Sequence, residues 1–288
     1  MPVVATNTAA NSALRFLNYN SSQASGSVSK LASGSRIVKA SDDAAGLAIG
    51  TRLNADVTAL TQAGINASQG ASVVQVADGG LSRIADVLQR MKALAAQSLS
   101  GVPTNTERGF IDAEFQQLVG EITDIATTTR FNGATLLGVS AAGAPAAATA
   151  DYFVGTDVTD TITVDFNDLV AAPGAVTNFA APALFAGVAQ SVGTGTAAGV
   201  AMAAIDVAIN TVSEARATAG ALISRFEFRG QQISTSLENI DAAKSAIMDV
   251  DLAAEQSKLV SNQVLVQAAV SAVSQANQIP QSLLRVLQ

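Results

Sequence analysis

Cysteine, histidine and tryptophan are all absent from the 288-residue sequence. Without cysteine or histidine the chain cannot form disulfides, thiolate or imidazole metal sites, Ser-His or Cys-His nucleophile pairs, or a histidine-based pH switch. Aromatic residues make up only 4% of the chain, whereas apolar residues make up 49%. We therefore expect Ala, Val, Leu and Ile to pack along long, shallow contacts instead of around a few large aromatic side chains.

Positive charge and long hydrophobic runs are also scarce. The formal net charge of −7 argues against nucleic acid or an anionic membrane as the main partner. Arg15 is the first charged side chain, and no basic start leads into an apolar core with a cleavage site, so no secretory signal peptide is expected. No window approaches roughly 18 uninterrupted apolar residues, so no membrane insertion is expected. Only carboxylates, Lys, Ser and Tyr remain for catalysis, and because no pair of them stands out we predict no enzyme, no cofactor and no metal site.

Apolar residues at alternating steps of three and four are typical of coiled-coil helices, and this spacing covers most of the chain. Between residues 3 and 31 it is weak, because Asn, Ser and Ala occupy many of its positions. Such a helix should order only against partners, the alternative being an ordinary amphipathic helix on a globular core. The predicted contact row is Val3, Asn7, Ala10, Leu14, Leu17, Ser21, Ala24, Val28 and Leu31.

The same spacing predicts one long helix over residues 44–99, with Gly79-Gly80 causing a bend at most. A second long run from Ile205 to Val250 is the natural antiparallel partner of that helix. Thr104 and Glu107 have capping-box spacing, which predicts the start of a further helix between the two long ones.

Residues 131–170 change period after the tight-turn dipeptide Asn132-Gly133. Alternating residues at 153–155 and 161–166 flank a Gly- and Asp-rich turn and predict a small β-hairpin. We interpret the carboxylates there as turn-forming groups, with calcium binding as the alternative, because neither acidic stretch has the EF-hand Gly and Glu together. These carboxylates are Asp157, Asp160, Asp165 and Asp168. Residues 171–199, rich in Ala, Gly and Pro, predict a linker or outward-facing insert.

Two short polar segments, within residues 31–49 and at 248–251, separate the long helices from weaker ones at the chain ends. Gly34 predicts a left-handed end of the first helix, and Ser41 or Asp42 predicts the cap of the next. The adjacent Asp42 and Asp43 are favourable at the positive end of that helix, although a helix start with a solvated carboxylate is the simpler interpretation.

The C-terminal helix repeats every seven residues at Leu252, Leu259, Val266 and Val273, with the weaker Asn262 and Ala269 in between. Pro280 predicts a break in its last turn. The apolar tip beyond it needs a cover; it consists of Leu283, Leu284, Val286 and Leu287.

We therefore predict a mainly α fold with long antiparallel coiled-coil helical rods, a small β-hairpin insert, and N- and C-terminal helices that pair with each other. The predicted domains are an inner terminal coiled coil of residues 1–43 with 248–288 and a helical rod of residues 44–170 with 200–247. The rod includes the β-hairpin region 131–170, and residues 171–199 form the variable surface insert.

Five segments of the sequence resemble the signatures of bacterial flagellins. They are L-A-S-G-S-R-I-V-K-A-S-D-D-A-A-G-L-A-I at 31–49, L-Q-R-M-K-A-L-A-A-Q-S at 88–98, R-F-N-G-A-T-L-L-G at 130–138, M-D-V-D-L-A-A-E at 248–255 and Q-A-N-Q-I-P-Q at 275–281. The resemblance covers residues 1–138 and 200–288, and more loosely 152–169. The middle of this chain, between the two matched ends, lacks the large outer domains that many flagellins carry.

This resemblance implies a secreted, extracellular structural subunit that self-assembles into the flagellar filament for swimming and is exported unfolded by the flagellar type III apparatus. The implied partners are other copies of the chain, a flagellar export chaperone, the filament cap and hook–filament junction proteins. The alternative function is that of a hook–filament junction protein itself. The residues expected to serve assembly and the polar joints are Leu31, Gly34, Arg36, Asp42, Asp43, Gly46, Ile49, Leu252, Leu259, Val266 and Val273.

The resemblance also points to a partner outside the bacterium. Arg90, Leu94 and Glu114 match contact positions of flagellins that a host Toll-like receptor senses. Arg90 and Leu94 are four residues apart and hence on one helix face, with Glu114 expected beside them on the following helix.

Overall fold

The computed structural model describes residues 7–137, 149–166 and 191–286, with side chains described as far as residue 278. Contacts divide the chain into two compact units, a terminal unit of Met1–Val57 with Glu238–Gln288 and a central unit of Thr58–Leu237. The elements are α1 (Thr8–Ser33), α2 (Ala44–Leu99), α3 (Asn105–Thr128), β1 (Arg130–Phe131), β2 (Ala134–Thr135), β3 (Thr149–Phe153), β4 (Thr161–Asp165), α4 (Gly195–Met248) and α5 (Leu252–Val286).

The predicted mainly α fold with a small antiparallel β insert is confirmed. The boundaries between the two units lie inside α2 and α4, whereas the predicted domain boundaries lie at the polar joints. The domain assignment made from the sequence stays a prediction.

Local sequence signals explain most helix ends. Gly34 ends α1 in the left-handed conformation, with φ of 70°, as predicted. The predicted capping box opens α3, because the Glu107 backbone N–H donates to Thr104 Oγ1 and the Thr104 N–H donates to the Glu107 carboxylate. Asn132 and Gly133 both adopt positive φ and form the turn between β1 and β2.

Two predicted helix ends are wrong. α5 runs through Pro280 to Val286, because one missing backbone N–H bends a long helix more readily than it ends it. The cap of α2 is neither Ser41 nor Asp42 but Asp43, whose Oδ1 accepts a hydrogen bond of 2.9 Å from the Gly46 N–H. The carboxylate of Asp42 instead accepts from the backbone preceding it.

In the central unit, α2 and α4 run antiparallel. Asp78 pairs with Arg216 at 3.0 Å, and Lys92, further along α2, pairs with Asp206, which is earlier in α4. Because rising residue numbers on α2 meet falling numbers on α4, the predicted antiparallel pairing of these helices is present. Gly79-Gly80 leaves α2 unbroken.

The core of the central unit consists mainly of aliphatic side chains, as the composition predicts. Its fully buried side chains on α2, α3 and α4 include Val74, Ala77, Leu81, Ile84, Leu88, Met91, Phe115, Ile122, Ile205, Ala208, Val212, Ala219 and Phe226. The predicted contact row of α4 supplies most of its buried positions.

The predicted hairpin is formed by β3 and β4, which pair antiparallel with Tyr152 opposite Ile162. Ile162 is buried, and the Tyr152 ring packs edge-on against Phe226 at a centroid distance of 5.5 Å. In the turn, the Asp160 carboxylate accepts from the Asp157 N–H and the Asp160 N–H donates to the Asp157 carbonyl. No group of three acidic side chains that could hold a metal occurs among the described residues; Asp168 lies outside them.

The segment before α4 differs from the predicted outward-facing insert. Val192 is fully buried, its N–H donates to Asp112 Oδ1 at 2.6 Å, and its carbonyl accepts from the Ser98 hydroxyl. α4 begins at Gly195, within the range assigned to the insert. Small-residue composition did not reveal this docking, because it depends on polar partners far away in the sequence. The rest of the insert, residues 171–190, lies outside the described residues.

Among the described residues one helix, α4, meets the length and hydropathy criteria for a membrane span, through an 18-residue window with a mean hydropathy of 1.4, of which 33% is buried inside the protein. Ile205, Ala208 and Val212 of the same helix belong to the core of the central unit.

Candidate functional site

The two polar joints predicted from the sequence lie against each other. Ser35 and Asp249 form an antiparallel β-bridge. On either side of it, the Arg36 N–H donates to the Met248 carbonyl at 2.6 Å and the Val250 N–H donates to the Gly34 carbonyl at 3.1 Å. The Arg36 guanidinium also donates to the carbonyl of Ile247 at 2.7 Å. The joint therefore holds together two segments that are remote in sequence.

Small residues at the start of α2 allow the joint to pack closely. A Cβ at Gly46 would lie 2.8 Å from the Ile37 Cδ1, and a Cβ at Gly50 would overlap the Met248 sulfur. Ile37 is buried, whereas the predicted joint residue Ile49 is 51% exposed. Gly46 and Gly50 therefore allow Ile37 and Met248 to approach the backbone of α2 closely. Ile49 faces away from the joint.

Three aspartates fix the backbone at this joint. The N–H groups of Lys39 and Val38 donate to the Asp42 carboxylate and hold its pKa below the ordinary value. Asp43 caps α2. Asp251 Oδ1 accepts from two N–H groups at the start of α5, each at 3.0 Å, and caps that helix.

Beyond the joint, α1 and α5 pack antiparallel. Their contact ends in a hydrogen bond from the Asn7 side chain to the Ala276 carbonyl at 2.8 Å. Near the joint, the Ser27 hydroxyl donates to Glu255 Oε1 at 2.7 Å. The half-buried and buried positions that recur at steps of three and four on α1 are Ala10, Ala13, Leu17, Asn20, Ala24, Ser27 and Leu31. The corresponding row on α5 is Glu255, Leu259, Asn262, Val266, Ala269, Val273 and Ala276.

The predicted contact row of α1 is wrong at three positions. Ala13, Asn20 and Ser27 take the places expected for Leu14, Ser21 and Val28. As a result, Leu14 is 46% exposed and Val28 is 50% exposed. On α5, Leu259, Val266 and Val273 lie in the contact row, but Leu252 is 59% exposed and does not.

Glu255 is the only charged side chain among the described residues that is buried, with 6% of its surface exposed. The Ser27 hydroxyl bound to its Oε1, and then Lys258 at 3.4 Å from its Oε2, lower its pKa below the ordinary value. Sequence reasoning missed both Ser27 and Glu255. Glu255 nevertheless lies three residues after Leu252, the same spacing at which Asn262 follows Leu259 and Ala269 follows Val266, so filling this gap in the predicted row would have found it.

The terminal unit leaves many large apolar side chains exposed on the sides of α1 and α5 that do not face each other. Among the described side chains they are Leu14, Phe16, Tyr19, Val28, Leu252, Val260, Val264, Leu265 and Val270. Isolated exposed apolar residues are normal on protein surfaces, but nine on two paired helices indicate a surface that is covered by something else.

The three residues matched to receptor-contact positions are not equivalent in the structure. Arg90 donates through Nε and Nη2 to Glu114 Oε1, at 3.0 and 2.6 Å, and both side chains are exposed. Leu94 is only 2% exposed and belongs to the core of the central unit. The structure thus brings Arg90 and Glu114 together on the surface and places Leu94 beneath it.

Comparison with known proteins gives consistent matches at both ends of the chain. Residues 4–142 match the family described as bacterial flagellin N-terminal helical region, and residues 202–287 match the bacterial flagellin C-terminal helical region. A flagellin of Listeria monocytogenes is 36% identical over 273 residues, which cover 94% of each chain. A flagellin of Halalkalibacterium halodurans is 35% identical over 287 residues, which cover 99% of each chain.

Solved structures agree with these matches. The crystal structure of Bacillus cereus flagellin aligns with a TM-score of 0.50 at 26% identity, over 62% of this chain and 94% of that chain. A structure described as a flagellar hook-associated protein of Vibrio parahaemolyticus aligns with a TM-score of 0.55, over 72% of this chain and 100% of that chain. Its 14% identity indicates a shared fold and nothing more.

Proposed function

Because the chain belongs to the bacterial flagellin family, whose members build the extracellular flagellar filament, we propose that it is exported unfolded through the flagellar type III apparatus and assembles through its terminal unit. The exposed apolar side chains of α1 and α5 carry this proposal. A subunit whose contact surfaces differ on its two sides builds an open helical array. In that array, the exposed faces of α1 and α5 pack against neighbouring copies.

The weak contact between α1 and α5 fits export and assembly. Asn20, Ser27 and several Ala residues occupy its contact row, so pairing removes little apolar surface from water. Ordering the backbone costs roughly 1 to 2 kcal/mol per residue. The terminal helices therefore become fully ordered only when neighbours cover their outer faces, and before that they are available to the export chaperone. The filament cap and the junction proteins at the hook are the partners at the two ends of the polymer.

A charge placed on the outer face tests this assembly surface. Val264 on α5 is 60% exposed, and its replacement by Asp does not touch the contact with α1. Val264→Asp should therefore keep the helical circular dichroism of the subunit but abolish polymerisation seeded with filament fragments. Val158→Asp, at a 91% exposed position of the central unit, is the matched control and should polymerise. Normal filaments from Val264→Asp would refute the proposed surface.

A hook–filament junction protein is the alternative, and one assay separates the two. A filament subunit elongates long filaments from purified protein alone, whereas a junction protein does not. Growth that stops after a few subunits in the absence of other flagellar proteins would favour the junction function.

Recognition of the monomer by a host Toll-like receptor is a second proposed function, supported by the exposed Arg90–Glu114 pair. A paired guanidinium on the surface can be shared with a partner's carboxylate or carbonyl groups. Arg90→Ala should reduce signalling by monomeric protein in a receptor-reporter assay. Because Leu94 is buried, Leu94→Ala should lower the stability of the central unit as well. Undiminished signalling by Arg90→Ala would contradict this proposal.

A further inference from the structure

α1 can present either of two contact rows to α5. Both rows contain Ala10, Leu17, Ala24 and Leu31. The observed row adds residues three positions after these, and the row predicted from the sequence adds residues four positions after them. Each residue advances an α-helix by about 100°. Because half of each row is shared and the other half is shifted by one residue, the centres of the two rows differ by a rotation of α1 of about 50°.

Apolar burial alone favours the arrangement that the structure does not adopt. The alternative rotation would turn Leu14 and Val28 towards α5 in place of Ala13 and Ser27. Leu and Val release more apolar surface from water than Ala and Ser do. A polar contact must therefore select the observed rotation.

The interactions along the contact identify that polar contact. Asn7 caps α1 from outside the helix, so its hydrogen bond to the Ala276 carbonyl holds the end of α1 and is not part of the row from Ala10 to Leu31. Lys258 lies three residues from Glu255 on the same helix, so this ion pair persists in either rotation. The hydrogen bond from Ser27 to Glu255 is different, because Ser27 faces α5 in one rotation only.

We propose that Glu255 sets the rotation of α1 on α5 by requiring the hydroxyl of Ser27, and not the side chain of Val28, opposite its carboxylate. In the other rotation the buried carboxylate would face an aliphatic side chain and lose its buried hydrogen-bond donor. Lys258 would still reach the other carboxylate oxygen, but leaving buried Oε1 without its donor costs more than exposing half of two aliphatic side chains. A single polar residue in a contact row that fixes how helices pair is an established device of coiled coils.

The selected rotation has a consequence for assembly, which rests on the proposed function. It turns Leu14 and Val28 outwards, where they extend the exposed apolar face of the terminal unit. Glu255 is therefore a positioning residue. It determines which side chains of α1 are offered to a neighbouring subunit.

Disulfide trapping in full-length protein reads the rotation directly, because the chain has no cysteine of its own. Asn20 and Asn262 line the same groove, of about 600 Å³, beside the contact. Asn20 lies seven residues before Ser27 and Asn262 seven residues after Glu255, so the antiparallel register that pairs Ser27 with Glu255 also places these two positions opposite each other. Asn20→Cys with Asn262→Cys should therefore oxidise readily to an intramolecular disulfide. Ser21→Cys with Asn262→Cys should oxidise poorly, since Ser21 is exposed and lines a different groove.

The test places each cysteine pair in three backgrounds. The first two backgrounds are wild-type Glu255 and Glu255→Gln, whose amide oxygen still accepts from Ser27. In both, the cysteine pair at 20 and 262 should oxidise faster than the pair at 21 and 262. In Glu255→Leu the preference should invert in favour of the pair at 21 and 262, while circular dichroism remains helical. An unchanged preference in Glu255→Leu, or loss of both disulfides, would overturn the proposal. Filament formation by the same variants is scored separately, so failure of this inference is distinguishable from failure of the assembly function.

Discussion

The same substitution, glycine to alanine, should have opposite effects on the stability of the central unit at Gly79 and at Gly80. Both lie inside α2, where alanine is favoured over glycine by about 1 kcal/mol. A Cβ at Gly79 would meet nothing within 4 Å. Gly79→Ala should therefore stabilise the central unit by close to that amount.

At Gly80 the added methyl group would collide with packed side chains. Its Cβ would lie 2.6 Å from Thr129 Oγ1 and 2.7 Å from Leu137 Cδ1. Neither neighbour can easily move, because the Thr129 hydroxyl donates to the Ile125 carbonyl at 2.7 Å and Leu137 is fully buried. Overpacking of this kind costs about 1 to 3 kcal/mol. Set against the gain in helix propensity, Gly80→Ala should change stability by between about zero and 2 kcal/mol of destabilisation.

The measurement is thermal unfolding of both variants and the wild type at equal concentration, followed by circular dichroism. For a domain of this size, 1 kcal/mol corresponds to roughly 2–4 °C in Tm. Gly79→Ala should unfold above the wild type and Gly80→Ala at or below it. Equal stabilisation by both substitutions would show that Thr129 and Leu137 do not pack against Gly80 as described.

Three further predictions concern single groups. Gly133 has φ of 84°, so Gly133→Ala should destabilise the β1–β2 turn by about 1 kcal/mol, measurable as a lower urea midpoint. The pKa of Glu255 is lowered in the folded state, so its contribution to α1–α5 pairing should be complete above its unfolded-state pKa and disappear as the pH falls through the folded-state value. Thermal unfolding followed by circular dichroism at a series of pH values should show this loss for wild type but not for Glu255→Gln. Lys92→Ala removes an ion pair whose side chains are 41% and 50% exposed, so it should cost less than about 1 kcal/mol, and a larger loss in denaturant unfolding would contradict the described exposure.

The central unit was predictable from the sequence because its helices carry strong apolar periodicity. Ile205, Val212 and Phe226 are fully buried at the steps expected for a helix packed along its length. The last turn of α1 and the first turn of α3 were predictable because Gly34 and the Thr104–Glu107 pair act through neighbouring backbone groups.

The terminal unit was less predictable because its helix pattern is weak. Apolar burial alone favours the row with Leu14 and Val28, which the structure does not adopt. The choice between Ser27 and Val28 then depends on Glu255, which lies at the other end of the sequence. The docking of Val192 on Asp112 and Ser98 depends in the same way on groups that no local pattern connects.

The bridge between Ser35 and Asp249 makes the completion of the terminal unit depend on two segments from opposite ends of the chain. The Ser35 hydroxyl donates to the Met248 carbonyl, 213 positions further on. Closing such a long loop costs more conformational entropy than forming a helix, so this contact should form more slowly than the helices. A chain cut short before Met248 retains α1 but gives it neither a joint nor a partner helix. Only a chain that extends through both joints can therefore complete the terminal unit.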